Sequence, residues 1–270
     1  MKTVVITGSA RGLGLEMAKE FRRNNCNVVI SDLKEENLMS AKATLENINS
    51  EGKILTCICD VSKYDNLENL LNKALAEFND IDIWINNAGV NQPQEAIYKC
   101  DVKAIDTVID VDLKGAIYGS KVALTYMIEK HKGAIYNIEG YGSNDAHMLG
   151  LNLYGTSKRA VTYLTEALAQ ECEGTGVIVG KLAPGIMITD FTTHSLVNDN
   201  IKLSDKTKNV YNILGDTPET VAHFFVTRIL TNNKNGSKIN WLTNGKAFIR
   251  FLTAPFNKRN FFDTDGNIKK

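Results

Sequence analysis

The sequence predicts an α/β fold, a parallel sheet with helices on its faces, built as a single domain of 270 residues. Short apolar, β-branched runs alternate with longer amphipathic ones, which is the rhythm of strands joined by crossover helices. A glycine-rich turn, Thr7-Gly8-Ser9-Ala10-Arg11-Gly12-Leu13-Gly14, joins the first apolar run to the first helix. No linker, repeat or low-complexity tract marks a boundary, and a content of 43% hydrophobic residues is enough for one large core.

The elements follow in order. Val4-Val5-Ile6 is a strand leading to a helix that ends near Asn24, and Val28-Val29-Ile30 is a strand leading to a helix carrying Leu38, Ala41, Leu45 and Ile48. A third strand over 54–59 precedes a helix with Leu67, Leu70, Leu71, Ala74, Leu75 and Phe78 at i, i+3, i+4 spacing. A fourth strand spans 81–85, a long helix 101–130, a fifth strand 134–138, another long helix 151–172 and a sixth strand 177–182. From about 186 to 216 the chain is polar and non-periodic between Pro184-Gly185 and Pro218, which marks a functional loop. A C-terminal tail covers about 252–270.

Composition narrows the function. Lys plus Arg equals Asp plus Glu at 31 each, so no basic excess points to nucleic acid. The five cysteines are scattered without His or Cys at zinc spacing, so buried reduced thiols are expected and no metal site. Cys57 and Cys59 fall on one side of a strand. The first residues enter a strand directly, leaving no room for a signal peptide, and no apolar run approaches the ~20 residues of a membrane span. A cytoplasmic protein is expected.

The glycine turn lets backbone approach a pyrophosphate, whose charge the helix N-terminus meets. The second strand ends in Asp32, where a carboxylate can accept hydrogen bonds from ribose hydroxyls and repel a 2′-phosphate. That favours NAD, with NADP possible because Arg11 could reach a 2′-phosphate or could equally be a surface cation. In Tyr154-Gly155-Thr156-Ser157-Lys158 the helical spacing projects Tyr154 and Lys158 from one face. An ammonium beside a phenol favours its ionised form, as a neutral-pH proton carrier needs.

The spacing of Gly8, Gly12 and Gly14, followed by Asp60-Val61, Asn86-Asn87-Ala88-Gly89, Tyr154-x-x-x-Lys158 and Pro184-Gly185 with Thr189, resembles the short-chain dehydrogenase/reductase family over residues 1 to about 190. The resemblance implies a doubly wound, three-layer Rossmann sheet that binds a dinucleotide at its carboxyl edge and moves a hydride to a carbonyl or from an alcohol. It implies cofactor contacts from Gly8, Ser9, Arg11, Gly12, Leu13, Gly14 and Asp32, with Asp60 and Val61 near the adenine and Asn87 beside the cofactor. Pro184, Met187 and Thr189 would lie near the nicotinamide. Tyr154 would act as general acid or base, with Lys158 holding the nicotinamide ribose and lowering the tyrosine pKa. Structural alternatives stand beside these: Asn87 can satisfy strand-end backbone groups, and Asp60 can cap the helix starting near Ser62.

Two positions depart from the family pattern. The usual strand-end serine pair aligns with Glu139-Gly140, so the substrate-binding hydroxyl would come from Ser143, eleven residues before Tyr154, or from Tyr141. Ser143 could also merely stabilise a turn with Asn144 and Asp145. In Val111-Asp112-Leu113 an aspartate stands where the family has an asparagine that helps hold a water in a proton relay to the lysine. The block from Asn137 to Ser143 is similar to the chlorophyll b reductase-like branch. That branch has extensions not seen here and prefers a phosphorylated cofactor, against which Asp32 argues, so its substrate is not carried over.

Residues 190 to 216 are expected to form a substrate lid, with Phe191, His194, Leu196, Tyr211 and Leu214 as contributors to the pocket or to lid packing. His147 lies near the expected pocket mouth. The C-terminal stretch mixes aromatics with Arg250, Lys258 and Arg259. Packing over the domain or an oligomer interface is preferred there to a membrane surface, because the basic residues form no sustained helical face. The family resemblance implies a homodimer or homotetramer. Small carbonyl or alcohol substrates are the expected partners, and the rival expectation is a dinucleotide-binding, redox-sensing interaction protein that has lost turnover.

Overall fold

In the computed structural model, which describes residues 1–92, 94–189, 191, 203–263 and 268–269, the apolar runs pair into one parallel sheet. Its strands are β1 (Thr3–Ile6), β2 (Asn27–Asp32), β3 (Ile54–Ile58), β4 (Ile83–Asn86), β5 (Gly133–Ile138), β6 (Val177–Ala183) and β7 (Lys238–Asn240). The order is β3-β2-β1-β4-β5-β6-β7, so the winding direction reverses between β1 and β4. A doubly wound sheet opens a ligand crevice at that reversal, outside the carboxyl ends of the strands.

Both faces of the sheet are covered, which is why its central strands read as unbroken apolar runs. On one face, α1 (Gly12–Arg23), α2 (Glu35–Glu46) and α8 (Pro218–Thr231) bury Met17, Phe21, Leu38, Leu45, Val221 and Phe225 against Val4, Ile6, Val28 and Ile30. On the other, α3 (Tyr64–Phe78), α5 (Gly115–Glu129) and α6 (Asn152–Glu171) bury Leu67, Leu70, Val122, Met127 and Ala169 against Val5, Val29, Trp84 and Ile135. Cys57 and Cys59 share this second core while Ile58 between them is exposed, as strand alternation requires. Burial pushes the Cys59 thiol up to about 12, with the neighbouring Cys57 and Asp60 adding to the rise.

The structure differs from the sequence expectation in the long helix, in the supposed loop and beyond it. The helix expected over 101–130 is α4 (Val102–Val108), then a π-helical segment Ile109–Lys114, then α5. A π-segment widens the turn and is often found at functional sites; this one carries Asp112. The supposed loop contains a helix, α7 (Asp205–Leu214), whose N-cap Ser204 accepts from the Thr207 N–H. Beyond it lie α8, β7 and α9 (Asn244–Thr253). Pro218 at the helix start and Glu219 in the first turn were legible signals for α8. β7, with three residues of which Ile239 alone is buried, is too short to show a period.

Candidate active site

At the sheet reversal the turn after β1 is laced to the turn after β4. The Thr7 hydroxyl accepts from the Asn87 and Ala88 N–H groups at 3.0 and 3.1 Å. The Asn87 side-chain amide donates to the Thr7 and Gly8 carbonyls, both at 2.9 Å. Asn87 therefore holds the glycine turn in place, as the structural alternative for it required.

The three glycines do different jobs. Gly8 has φ +59°, and a Cβ there would lie 2.7 Å from Ala88 Cα, so the turn closes only without a side chain. A Cβ on Gly14 would meet the Gly8 carbonyl oxygen at 2.8 Å. Gly12, at φ +58°, has no atom within 4 Å of its Cβ position, so it borders open space at the start of α1. No acidic residue occupies the first turn of α1, and Arg11 at the N-cap makes no side-chain cap. The positive end of a helix facing an open glycine cradle fits an anionic pyrophosphate.

Other residues of the expected cofactor site divide between ligand-ready and structural positions. Asp32 ends β2, its Oδ1 held by the Lys34 N–H and the Asn37 amide, both at 3.1 Å. Arg11 is exposed, whereas Leu13 is buried in the core. The Ser9 hydroxyl is fully buried, donating to the Ile6 carbonyl at 2.7 Å and accepting from the Ser31 N–H at 3.1 Å, so it staples β1 to β2. Asp60 accepts from the Ser62 N–H and hydroxyl at 3.0 and 2.7 Å, closing the turn after β3; the N-cap of α3 is Lys63. Val61 is buried against Gly115.

Tyr154 and Lys158 project from the first turns of α6, with Lys158 Nζ 5.5 Å from the tyrosine ring centre. Lys158 is buried, and its Nζ lies 3.9 Å from Asp112 Oδ2. Asp112 accepts from the Val90 N–H at 2.8 Å and from the Ser157 hydroxyl at 3.5 Å. Burial raises the Asp112 carboxyl above its ordinary range, although Lys158 and these hydrogen bonds pull it down. Burial, and then the charge of Asp112, push the Tyr154 phenol well above its ordinary value. Burial and Asp112 thus act on the phenol in the direction opposite to the lowering expected from Lys158.

The short chain dehydrogenase profile matches residues 2–199. The chain belongs to the short-chain dehydrogenase family. This dehydrogenase is 29% identical to a probable chloroplastic chlorophyll(ide) b reductase of Arabidopsis thaliana, over 98% of its own chain but only about half, 55%, of that relative. It is 31% identical to a chloroplastic chlorophyll(ide) b reductase of Oryza sativa subsp. japonica, covering 93% of this chain and 74% of the relative. The likeness of the Asn137 to Ser143 block thus extends along the chain. Among solved structures, levodione reductase superposes with a TM-score of 0.81 at 23% identity, covering 92% of this chain and 98% of that one.

The turn after β5 departs from the family pattern. A Cβ on Gly140 would sit 2.4 Å from the Tyr154 hydroxyl, so the phenol lies against bare backbone where the family carries serine. Gly142, at φ +95°, packs so closely on Gly155 that a Cβ there would be 2.4 Å from its Cα. The Ser143 hydroxyl is buried, accepts from the Gly140 N–H and donates to the Lys158 carbonyl, both at 3.2 Å, and so clamps the turn onto α6. Tyr141 is the exposed hydroxyl of the pair. Glu139 is buried elsewhere, accepting from the Thr162 hydroxyl at 3.1 Å and paired with Lys238 of β7 at 2.6 Å.

Beyond β6, Pro184 is buried and Gly185 packs against Leu242. Met187 bridges to Asp216, and the chain reaches Thr189 and then Phe191, whose ring centre is 5.7 Å from that of Tyr154. Tyr211 instead packs on Phe262 at 6.4 Å, and the Leu214 carbonyl accepts from Arg250. His147 is exposed, while His194 and Leu196 lie outside the described residues.

Two further residues position the site. Gln92, fully buried, accepts from the Tyr154 N–H at 2.6 Å and donates to the Gly150 carbonyl at 2.7 Å, setting the start of α6. Asn86 accepts from the Trp84 indole at 2.8 Å and donates to Asn137 at 2.7 Å; Asn137 donates to Thr165 at 2.9 Å. That chain of amides ties β4 and β5 to α6. The Asn86-Asn87 and Asn137 signals were present in the sequence; for Gln92 there was none.

Proposed function

We propose that this dehydrogenase transfers a hydride between NAD(H) and a carbonyl or alcohol carbon, with Tyr154 as the group that gives or takes the proton. The observation that carries this reading is the grouping of the Tyr154 hydroxyl and buried Lys158 beside the glycine cradle at the sheet reversal. When bound, the dinucleotide supplies the hydrogen with its electron pair. With its phenol raised by burial and by Asp112, Tyr154 carries its proton at neutral pH and can give it to a carbonyl oxygen. Lys158 offers its ammonium to ribose hydroxyls and to the phenolate left after donation. The same reading includes a homo-oligomer through α5 and α6, on which Ile117, Ile128 and Tyr163 are exposed.

Asp32 selects the cofactor in this reading. NADH should bind at least about tenfold more tightly than NADPH, as expected for one carboxylate facing a 2′-phosphate near the surface, and Asp32→Ser should remove most of that gap. Fluorescence titration measures both, and tighter NADPH binding by the unaltered protein would sink the assignment. A second reading, a dinucleotide-binding protein without turnover, draws on the commitment of the Ser143 hydroxyl to backbone groups. Offering NADH with a broad panel of aldehydes, ketones and quinones separates the two: oxidation that depends on Tyr154 supports the enzyme, and its absence across the panel supports the module.

Asp112→Asn is nearly isosteric and keeps an acceptor for the Val90 N–H, but removes the charge that raises Tyr154. Reduction needs the protonated phenol, so the alkaline limb of its kcat/KM profile should move to lower pH. Oxidation at neutral pH should quicken. An unmoved limb would show that Asp112 does not act on the tyrosine.

A further inference from the structure

Helix α9 turns its polar side to the protein and its apolar side to solvent. Arg250 donates to the Leu214 carbonyl at 2.9 Å and to both Asp216 oxygens at 2.6 and 3.1 Å. Arg259, just beyond the helix, donates to the Gly215 carbonyl at 2.5 Å and to Asp216 at 2.8 Å. On the opposite side Phe248, Ile249, Phe251 and Leu252 are 63%, 60%, 49% and 60% exposed, and Phe256 after Pro255 is 90% exposed. At 3.6 residues per turn Phe248, Ile249, Phe251 and Leu252 share one side of α9, and Phe256 follows just beyond its end. Scattered single apolar residues are ordinary on a surface, whereas four large ones on one side of a helix, with a fifth just beyond it, mark a contact surface.

Charge identifies the partner. The chain as a whole is balanced, yet between Thr220 and Phe262 it carries seven Lys and Arg residues and no Asp or Glu. Among the described residues of and around α9, the four cations Lys246, Arg250, Lys258 and Arg259 outnumber the carboxylates of Asp216, which pairs with both arginines, and of Asp263. A second copy joined by a two-fold axis through this face would bring two such clusters together. An anionic bilayer attracts the cations and also accepts Phe, Ile and Leu at the boundary between headgroups and acyl chains. We infer that α9 and Phe256 dock the protein on the surface of an anionic lipid bilayer, the apolar side of the helix lying in the plane of the interface without crossing it. The anchor is built into the domain, because Asp216 holds the helix from below and pairs through its own backbone with Ile186 and Ile188.

Co-flotation of the full chain with vesicles tests this. The protein should float with phosphatidylcholine vesicles enriched in phosphatidylserine, and bind at least about tenfold more weakly to phosphatidylcholine alone or in high salt. The double variant Phe248→Ser/Phe256→Ser, whose two sites are exposed, should melt at the unaltered temperature and lose binding by about tenfold or more. Failure to float with the anionic vesicles would overturn the proposal, as would equal binding by the double variant. A wild-type oligomer that the double variant splits, with no flotation, would also overturn it and assign this surface to a second copy.

Discussion

Tyr154→Phe is expected to lower kcat for carbonyl reduction by about 10²- to 10⁴-fold, the usual worth of a positioned general acid, while leaving NADH affinity unchanged. The substitution removes one oxygen and keeps the ring that packs on Phe191 and lies beside Lys158. Nothing is stranded by it, because the hydroxyl faces the Cα of Gly140 and no side chain there loses a partner. Binding titration together with steady-state NADH oxidation, on any carbonyl that turns over, checks both halves of the expectation. A loss of less than about tenfold would mean that the proton comes from elsewhere, Tyr141 or water, and that the pairing with Lys158 is structural. Because burial and Asp112 both raise the phenol, reduction by the unaltered protein should be insensitive to pH across the neutral range. A decline below neutrality would have to come from another group.

Asp216→Ala is expected to destabilise the fold by about 3 kcal/mol, at the lower end of what breaking a buried ion pair costs because both arginines retain some exposure. For a chain of this size that lowers Tm by about 5–10 °C. Asp216 is buried and accepts from Arg250, Arg259 and the Trp241 indole. Without it two guanidinium groups face each other, and α9 loses its attachment to the segment after β6. Burial alone would raise the Asp216 carboxyl, but hydrogen bonds from Arg250 and Trp241 and the charges of both arginines hold it below the usual range. A carboxyl lowered by folding contributes stability above its unfolded value near 3.9 and loses it as pH falls through the lower folded value. The gap in Tm between the variant and the unaltered protein should therefore be full at pH 7 and close in strong acid. Melts at pH 7 that coincide would show the cluster to be a solvated surface network of little worth.

Glycine positions illustrate how far local sequence carries. Gly8, Gly12 and Gly14 pointed to a tight turn at a helix start, and two of them are needed for packing while Gly12 borders the open cradle. Gly140, Gly142 and Gly155 carried no such message, since their importance lies in the contact of a strand-end turn with a helix. Glu139 stands in the family's serine position. It is a structural tie to Thr162 and Lys238, one partner being on a strand too short to be foreseen. Asp112 was legible as a departure from the family pattern but not as a buried partner of Lys158, which required the π-segment.

By itself, the sequence determined the alternating α/β architecture, the glycine turn at the start of α1, Asp32 at the end of β2 and the shared face of Tyr154 and Lys158. Each rests on periodicity or spacing within one strand, one turn or one helix, where backbone geometry alone sets the outcome. Tertiary structure decided which charge stands beside Lys158, what lies against the Tyr154 hydroxyl, how Gln92 sets the start of α6 and which side of α9 meets water. Those depend on the order in which the sheet assembles its elements. A periodic pattern says that a helix has two faces; only the packed fold says that Arg250 turns inward to Asp216 and Phe248 is left outside.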